Sequence, residues 1–471
     1  MNIQKKQYVL SSHPLILEGM IEYPINCAYL YVDKLLQCQK ATSADGKDIY
    51  LLGHAYCMDK KDKTPVDDIG KTLFNEIENV SHNWTGRWLL IGNRQLITDA
   101  SCLMSVFYHS DDNGWYISSS LVLISRLSGS PVGGRVNSTG LTWQLLPKTM
   151  VDGVNTLFCT EKIEWDDTKI HVKPIGKFKV CNELSTLQKS IAISAMLQNA
   201  LWNISKYSKK NVKIALTAGK DSRLVLSAAL VTGISFESYT AIHPNISRSD
   251  EKMPIEFSKR FGFKHQLVKP IKYDRQKEME FQEFCCKNSL GADMSFYANG
   301  QFDGFTGDDI IIRSGIFEAA QHYGRSIMAD ATLQSLETGF RKYYASDITP
   351  KQDEALKEWL AYAEENPIPF IDIRDRFYIE QRVNGWVAAI EQAMDINDFT
   401  SIQIANCSEL ISVLLSATEE ERSSLALSFE PIKQMTPELM EYPVNQIVLA
   451  DTLRIYKNGI KKRLKKILRC K

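Results

Sequence analysis

Apolar and polar residues alternate in short runs along the first part of the chain, and polar turns separate these runs. Alternation with a period of two predicts strands that bury one face. The predicted strands cover residues 28–32, 49–53, 88–91, 95–98, 106–109 and 115–118. A helix is predicted between them at residues 69–77. This pattern indicates an antiparallel α+β fold.

The pattern changes near residues 173–177, where Pro174 and Gly176 mark a boundary. Helical spacing follows at residues 183–207, and strands then alternate with helices. The predicted strands cover residues 214–217, 234–241, 265–268 and 309–313; the predicted helices cover residues 222–230 and 250–261 and much of the chain from residue 354 onward. Strands that alternate with helices predict an α/β domain whose parallel sheet carries helices on both faces.

One turn of this predicted sheet combines the features of a phosphate-binding loop. The strand that ends at Thr217 runs into small residues and then into a helix that begins near Ser222. Backbone N–H groups and the positive end of the helix dipole meet at such a turn, and both favour an anion. Asp221 adds a hard oxygen ligand of the kind that Mg²⁺ prefers, although the same carboxylate could cap the helix. Because ligands bind beyond the carboxyl ends of parallel strands, we expect Thr240 and Ser314 near this loop.

The turn is similar to a known pyrophosphate loop. The asparagine synthetase family carries the pattern Ser-Gly-Gly-x-Asp-Ser, and this chain has Thr217-Ala218-Gly219-Lys220-Asp221-Ser222. Three later segments resemble the family in the same order: residues 239–241, where the family takes up adenine; residues 249–265, its helix and closing histidine after that strand; and residues 313–318, its second phosphate loop. The resemblance implies an adenine nucleotide α-hydrolase-like domain. It also implies an ATP pyrophosphatase that uses ATP and Mg²⁺ to form an adenylate on a carboxylate.

The resemblance assigns site residues position by position. ATP is expected to contact Thr217, Ala218, Gly219, Lys220, Asp221, Ser222, Thr240, Ser314 and Gly315. Asp221 and Glu318 are expected to be catalytic and to bind Mg²⁺; Glu318 stands either for the family's metal-binding acid or for its catalytic glutamate. Ala218 replaces a glycine and does not readily adopt a positive φ. Lys220 and Arg223 bring cations to the loop, where a triphosphate would be bound.

The first half of the chain resembles the glutaminase domain of the same family, which is an Ntn-type antiparallel sandwich. Residues 53–56 and 86–91 follow that domain's strand order. Such a glutaminase needs a cysteine directly after the initiator Met, because the free α-amino group acts as base for its own thiol. Position 2 holds Asn2, so we expect no glutamine hydrolysis. The resemblance predicts a degenerate glutaminase-like domain at residues 1–175 and an ATP pyrophosphatase domain at residues 176–471.

Three further features have ordinary structural interpretations. Ser249-Asp250 is typical of a helix start, with a contact from Asp250 to nucleotide or substrate as the alternative. Arg382 and Trp386 lie four residues apart, which predicts a packing pair on one helix. The basic segment from residue 453 has apolar residues at helical spacing, which favours a terminal helix packed on the core over one on a membrane.

Composition narrows the classes of function. The chain has 471 residues, 44% of them hydrophobic and 24% charged, which predicts a soluble globular protein of two or more domains. Net charge is +0 and the pI is near 7.1, so no nucleic-acid partner is expected. No apolar stretch approaches the length of a membrane span. Ten cysteines without repeat spacing predict free thiols and a cytoplasmic location, and a homodimer is a possible assembly.

Together these observations predict an asparagine synthetase-like ligase that splits ATP into AMP and pyrophosphate, adenylates a carboxylate and forms an amide. The carboxylate belongs to a small molecule, a sugar or a peptide, and an amine is the second substrate. Three alternatives stay open. The protein could be a pseudoenzyme that binds nucleotide or a partner protein. It could use ammonia, or close a peptide or lactam ring. It could also apply the same chemistry to another acceptor, for example in thiolation or in modification of a nucleic acid.

Overall fold

The computed structural model describes residues 2–136, 141–286, 288, 292–321, 330–344 and 348–445. Its antiparallel strands are β1 (Tyr8–Ser11), β2 (Met20–Ile25), β3 (Ala28–Asp33), β4 (Cys38–Thr42), β5 (Asp48–Cys57), β6 (Trp84–Gly92), β7 (Gln95–Thr98), β8 (Phe107–Asp111), β9 (Gly114–Ser118), β10 (Asn155–Thr156), β11 (Glu161–Trp165) and β12 (Ile170–Pro174). Its parallel strands are β13 (Asn211–Ala215), β14 (Glu237–Ala241), β15 (Lys264–Val268), β16 (Asp309–Arg313) and β17 (Thr400–Gln403). The predicted terminal helix from residue 453 lies outside the described residues.

Helices occupy much of the remaining chain. They are α1 (Pro65–Lys71), α2 (Ile77–Ser81), α3 (Leu121–Ser128), α4 (Thr186–Tyr207), α5 (Lys220–Thr232), α6 (Arg248–Phe261), α7 (Arg275–Phe284), α8 (Ala292–Ala298), α9 (Leu333–Tyr344), α10 (Pro350–Glu365), α11 (Ile373–Phe377), α12 (Ala388–Met394), α13 (Ser408–Leu415), α14 (Glu419–Ser424) and α15 (Ala426–Met435). Short 3₁₀ turns lie at Phe74–Glu76, Phe317–Ala320 and Pro437–Glu441, and a π-helix lies at Tyr378–Val387.

The two antiparallel sheets stack face to face. Their strand orders are β10-β8-β9-β1-β3-β2 and β12-β11-β7-β6-β5-β4. In β6, Leu89 and Ile91 share a buried cluster with Leu10 of the first sheet, whereas Trp88 and Leu90 belong to a separate cluster on the outer face. Alternate residues of a strand point to opposite faces, so the alternation in the sequence matches these two clusters. The structure confirms the predicted antiparallel sandwich.

Helices cover the outer faces of the sandwich, and one predicted helix has the wrong bounds. The helix predicted at residues 69–77 is two helices, because α1 ends at Lys71 and α2 begins at Ile77. Thr72 between them is extended, and its carbonyl accepts the N–H of Ala44 at 3.0 Å. This backbone pairing competes with helix propagation, and no local spacing rule could reveal a partner so distant in sequence.

The parallel sheet has the strand order β15-β14-β13-β16-β17, with β13 in the centre. Ile310 and Ile312 of β16 pack on the face that carries α4 and α5, whereas Ile311 packs with Ile390 of α12 on the other face. The predicted α/β architecture is therefore confirmed. The chain leaves β13 on one side to reach β14 and returns on the other side at β16. Such a switch point creates a crevice at the carboxyl ends of the strands.

Buried polar contacts join the antiparallel sandwich to the parallel sheet. Arg87 of β6 forms two hydrogen bonds with Asp395, at 2.7 and 2.5 Å. Thr85 donates to the carbonyl of Ile404 at 2.6 Å, and Asn406 donates to the carbonyl of Gly86 at 2.6 Å. These contacts connect the two parts directly, and the division into domains at residues 175 and 176 stays a prediction.

Candidate functional site

The predicted phosphate-binding loop connects β13 to α5 at the centre of the parallel sheet. The strand ends at Ala215, two residues earlier than predicted, and the helix begins at Lys220, two residues earlier than predicted. Gly219 is the N-cap residue and supplies no side-chain cap. The first N–H groups of a helix have no intrahelical partner, so this end of α5 is suited to an anion.

Hydroxyl groups hold the loop in its shape. Ser222 Oγ accepts the N–H of Thr217 at 3.1 Å and lies 3.1 Å from Thr217 Oγ1. Thr217 Oγ1 in turn accepts the N–H of Gly219 at 3.1 Å. The backbone φ of Gly219 is −69°, and Ala218 is not among the residues with positive φ. The loop therefore closes without a positive φ at Ala218, so this turn does not require glycine at that position.

Asp221 lies at the start of α5 beside the loop. One carboxylate oxygen pairs with Lys220 Nζ at 3.1 Å, whereas Oδ1 is buried and meets no hydrogen-bond partner among the described residues. Burial raises the pKa of Asp221, and Lys220 opposes that rise. A buried carboxylate oxygen without a donor is costly unless a cation or proton satisfies it.

The second predicted loop follows β16 and faces the first. Gly315 donates its N–H to Gln403 Oε1 at 2.7 Å, and its carbonyl accepts the hydroxyl of Tyr378 at 3.2 Å. Glu318 follows in the 3₁₀ turn. The residue is exposed, but desolvation of its carboxyl group and the nearby Asp221 carboxylate raise the pKa of Glu318, and the charges of Arg382 and Lys220 oppose the rise. The fold thus brings the carboxylates of the two loops into electrostatic contact.

A cavity of about 220 Å³ opens beside the first loop, at the carboxyl ends of β13, β14 and β16. Its wall is largely apolar, with Tyr239, Ile246, Phe296, Phe302, Ile311 and Met394 among the lining residues. Thr240 lines it as well, but its hydroxyl donates to the carbonyl of Leu216 at 2.6 Å, so backbone and methyl groups are what it offers a ligand. A largely apolar wall suits a flat heteroaromatic ring, and the charged side chains of Asp250, Asp293 and Arg313 line the same cavity.

Arg313 places a positively charged side chain in the wall of this cavity. The sequence did not predict the two carboxylates that hold it there. Its guanidinium pairs with Asp293 at 3.2 Å and with Glu391 at 3.3 Å. Burial disfavours the charged form, but the two carboxylates outweigh burial and raise the pKa of Arg313. Glu391 also accepts Gln403 Nε2 at 2.8 Å, which orients the amide that holds Gly315. These partners come from distant segments, so no local pattern signals them.

Asp250 contacts the first loop from the neighbouring helix. The helix begins at Arg248, two residues earlier than predicted: Ser247 caps α6, and its hydroxyl accepts the N–H of Asp250 at 2.9 Å. The carboxylate of Asp250 reaches further and accepts the N–H of Ala218 at 3.0 Å. Asp250 also lines the cavity. The residue therefore combines a helix-start position with a contact at the candidate site.

Arg223 is buried away from the place where a phosphate would lie. Its guanidinium donates to four backbone carbonyls, those of Ala218, Leu439, Tyr442 and Pro443, at 2.8 to 3.1 Å. Burial lowers its pKa to about 10. The expectation that Arg223 offers its charge to a triphosphate is wrong, because these four carbonyls occupy its two terminal nitrogens, and Nε is buried and meets no hydrogen-bond partner among the described residues. Arg223 instead fastens that segment to the loop.

Arg223→Met is expected to destabilise the protein by about 2 kcal/mol, because the buried carbonyls lose their donor. Chemical denaturation followed by tryptophan fluorescence measures the change in the free energy of unfolding. Arg260→Met serves as the control, since Arg260 lies near the C-terminal end of α6 and is exposed. Equal unfolding free energies for the two variants would contradict the bracing role of Arg223.

Arg382 lies on the π-helix beside the second loop. Its guanidinium is 3.5 Å from the ring centroid of Trp386 and 4.9 Å from that of Trp143. The predicted packing pair is confirmed, and Trp143 adds a second ring from the first half of the chain. Cation–π contacts of this kind hold a guanidinium flat and in place.

Neither a metal-binding cluster nor a membrane-spanning helix is found among the residues that the structure describes. No group of three or more histidine, cysteine, aspartate or glutamate side chains is arranged there to hold a metal ion. Within the same ranges, every helix is too short or too polar to cross a bilayer.

Comparisons with known proteins return only remote structural similarity. No protein-family model matches the sequence, and no curated protein matches it. Among solved structures, NMN synthetase from Francisella tularensis shows 13% identity and a TM-score of 0.22, over 39% of this chain and 96% of the other. Glutamine-dependent NAD⁺ synthetase from Acinetobacter baumannii shows 12% identity and a TM-score of 0.21, over 68% of this chain and 69% of the other.

A third solved structure is described as the allosteric regulatory enzyme of purine biosynthesis. It shows 8% identity and a TM-score of 0.24, over 58% of this chain and 76% of the other. TM-scores this low leave the function to be inferred from the residues of the site itself.

Proposed function

We propose that the protein is an ATP-dependent ligase of the asparagine synthetase type. It would transfer AMP from ATP to a carboxylate, release pyrophosphate, and then pass the acyl group to an amine with loss of AMP. One observation supports the proposal: an uncapped helix start at the centre of the parallel sheet carries Asp221, and the carboxylate of Glu318 interacts with it electrostatically. Anion-binding N–H groups and paired carboxylates are what a magnesium nucleotide requires.

In this proposal the adenine ring lies in the cavity at the ends of β13, β14 and β16, and the triphosphate lies along the first loop. The N–H groups at the start of α5 would bind the β- and γ-phosphates, with Lys220 beside them. Ser222 would act through the loop conformation, because its hydroxyl is committed to Thr217. Ser314 and Gly315 would approach the phosphates from the second loop, and Thr240 would border the adenine.

Asp221 and Glu318 would hold Mg²⁺ between the two loops. The partnerless Oδ1 of Asp221 and the raised pKa values of both carboxyl groups fit a site that a divalent cation completes. When bound, the ion supplies charge neutralisation for the departing pyrophosphate. Glu318 could instead take a proton from the attacking amine, so its role as metal ligand or as catalytic base is part of the proposal.

The other predicted properties belong to the same proposal. The acyl donor is a small-molecule, sugar or peptide carboxylate, and the nitrogen comes from an amine, from ammonia or from a partner protein; a cyclase acting on a peptide or lactam ring fits the same chemistry. A cytoplasmic location and a homodimer complete it. The free cysteines of the described chain support the location.

A nucleotide-binding pseudoenzyme is the second candidate, and one observation favours it. The chain itself satisfies two donors of the first loop, since Ala218 N–H donates to Asp250 and Lys220 pairs with Asp221. A loop whose donors are already paired could bind nucleotide weakly and never turn it over.

Product analysis separates the candidates. The protein is incubated with Mg-ATP, hydroxylamine as a general amine, and a panel of amino acids, dicarboxylates and sugar acids, and the nucleotide products are resolved by chromatography. We expect AMP and pyrophosphate with at least one acid, together with its hydroxamate. Release of ADP and phosphate would contradict the proposal, and nucleotide binding by calorimetry without turnover would favour the pseudoenzyme.

A further inference from the structure

The carboxylate of Asp250 is bound to the phosphate loop itself. Its Oδ1 accepts the N–H of Ala218 at 3.0 Å. Its Oδ2 accepts the hydroxyl of Ser247 at 2.8 Å, and the same hydroxyl accepts the N–H of Asp250 at 2.9 Å. Ser247 therefore bonds both the backbone and the carboxylate of Asp250, and the other carboxylate oxygen reaches into the loop. This is a defined position and not an incidental approach of a surface carboxylate.

Asp250 lies on the ligand side of the loop. It borders the same cavity as Thr217 and Thr240, so a bound nucleotide would meet it. A carboxylate oxygen and a phosphate oxygen are both anionic acceptors, and they seek the same N–H donors. One N–H group makes one strong hydrogen bond, so the two acceptors exclude each other at Ala218. Their negative charges also repel at close range.

We infer that Asp250 is an internal competitor for the phosphate groups of ATP. This inference rests on the proposed function, because it assigns a role at the same site. A phosphate that binds the loop displaces the carboxylate from Ala218, and the carboxylate takes the N–H back when pyrophosphate leaves. Asp250 thus lowers the affinity of the loop for both substrate and product, and it favours release of pyrophosphate after the adenylate has formed.

Calorimetry with two probes, Mg-ATP and magnesium pyrophosphate, tests the inference. Asp250→Asn removes the charge and keeps the size of the side chain, and it is expected to bind magnesium pyrophosphate about ten-fold more tightly than the parent protein. Glu251→Gln is the matched control, because it removes the same charge from the next residue of the same helical turn. Glu251 is half-buried and is not among the residues that line the cavity, so we expect the affinity of this variant to stay within about two-fold of the parent.

Asp250→Ser provides a second test if the asparagine variant unfolds, because serine is favoured near helix N-termini and carries no charge. Tighter binding of a probe by either neutral variant, with Glu251→Gln unchanged, supports the competitor role. Measurable binding by a neutral variant when the parent protein and Glu251→Gln show none supports the role equally. Unchanged or weaker binding by both neutral variants overturns the role while the proposed function stands. Failure of the parent and of every variant to bind either probe overturns the phosphate site, and the proposed function with it.

Discussion

Asp221→Asn is expected to reduce AMP-forming turnover by about 100-fold or more. The substitution keeps the size and the N-terminal helix position of the side chain, but it removes the charge that would hold Mg²⁺ between the two loops. Burial raises the pKa of Asp221, which means that the folded protein disfavours the charged form of this carboxyl group. A buried carboxylate with a raised pKa, next to a loop suited to an anion, is typical of functional sites.

Steady-state kinetics with the best carboxylate from the panel measure this loss, with Mg²⁺ varied at constant ATP. We expect the variant to need more Mg²⁺ for half-maximal turnover, which a merely structural residue would not cause. Asp112→Asn is the control, because Asp112 is exposed in the hairpin between β8 and β9 of the sandwich and the charge change is the same. Turnover of Asp221→Asn near the parent value, at the same Mg²⁺ dependence, would remove Asp221 from the catalytic site.

The sequence predicted the part of the site that lies close together along the chain. The small residues from Thr217 to Ser222, the strand before them and the helix after them form one local unit, and the structure contains that unit with bounds shifted by two residues. Local patterns also predicted β16 and the end of α6, where Gly262 adopts a φ of 76° as its C-cap. Such features depend on neighbours within a few residues, which is why a single sequence reveals them.

Contacts between distant segments set the remaining features of the site. The direction of Arg223 depends on carbonyls more than two hundred residues later in the chain, and the second loop depends on Gln403, which lies 88 residues beyond Gly315. Strand β17 was missed because Thr400–Gln403 is only four residues long and has polar residues at both ends, although all four are buried in the sheet. In each of these cases contacts between distant segments determine the structure, and the local sequence pattern does not predict such contacts.

Asp395→Asn is expected to lower the free energy of unfolding by about 3–5 kcal/mol, because it leaves the buried guanidinium of Arg87 without its partner charge. Both side chains are under 10% exposed, at 8% for Arg87 and 9% for Asp395. Burial disfavours the charge on Arg87, and Asp395 reverses that effect and raises its pKa. Its two hydrogen bonds with Asp395 therefore fasten the sandwich to the segment that leads into β17 of the parallel sheet.

An exposed pair between the same two parts of the molecule gives the comparison. Asp62 and Lys206 form an ion pair whose side chains are 55% and 49% exposed, and Asp62→Asn should cost less than about 1 kcal/mol. Urea denaturation followed by tryptophan fluorescence measures both variants, and Arg87→Met/Asp395→Leu should recover part of the loss by removing both charges. If Asp395→Asn costs no more than Asp62→Asn, the buried pair does not join the sandwich to the sheet. A large loss that the double variant relieves would show that an unpaired charge is the cause, and that the two parts of the chain unfold together.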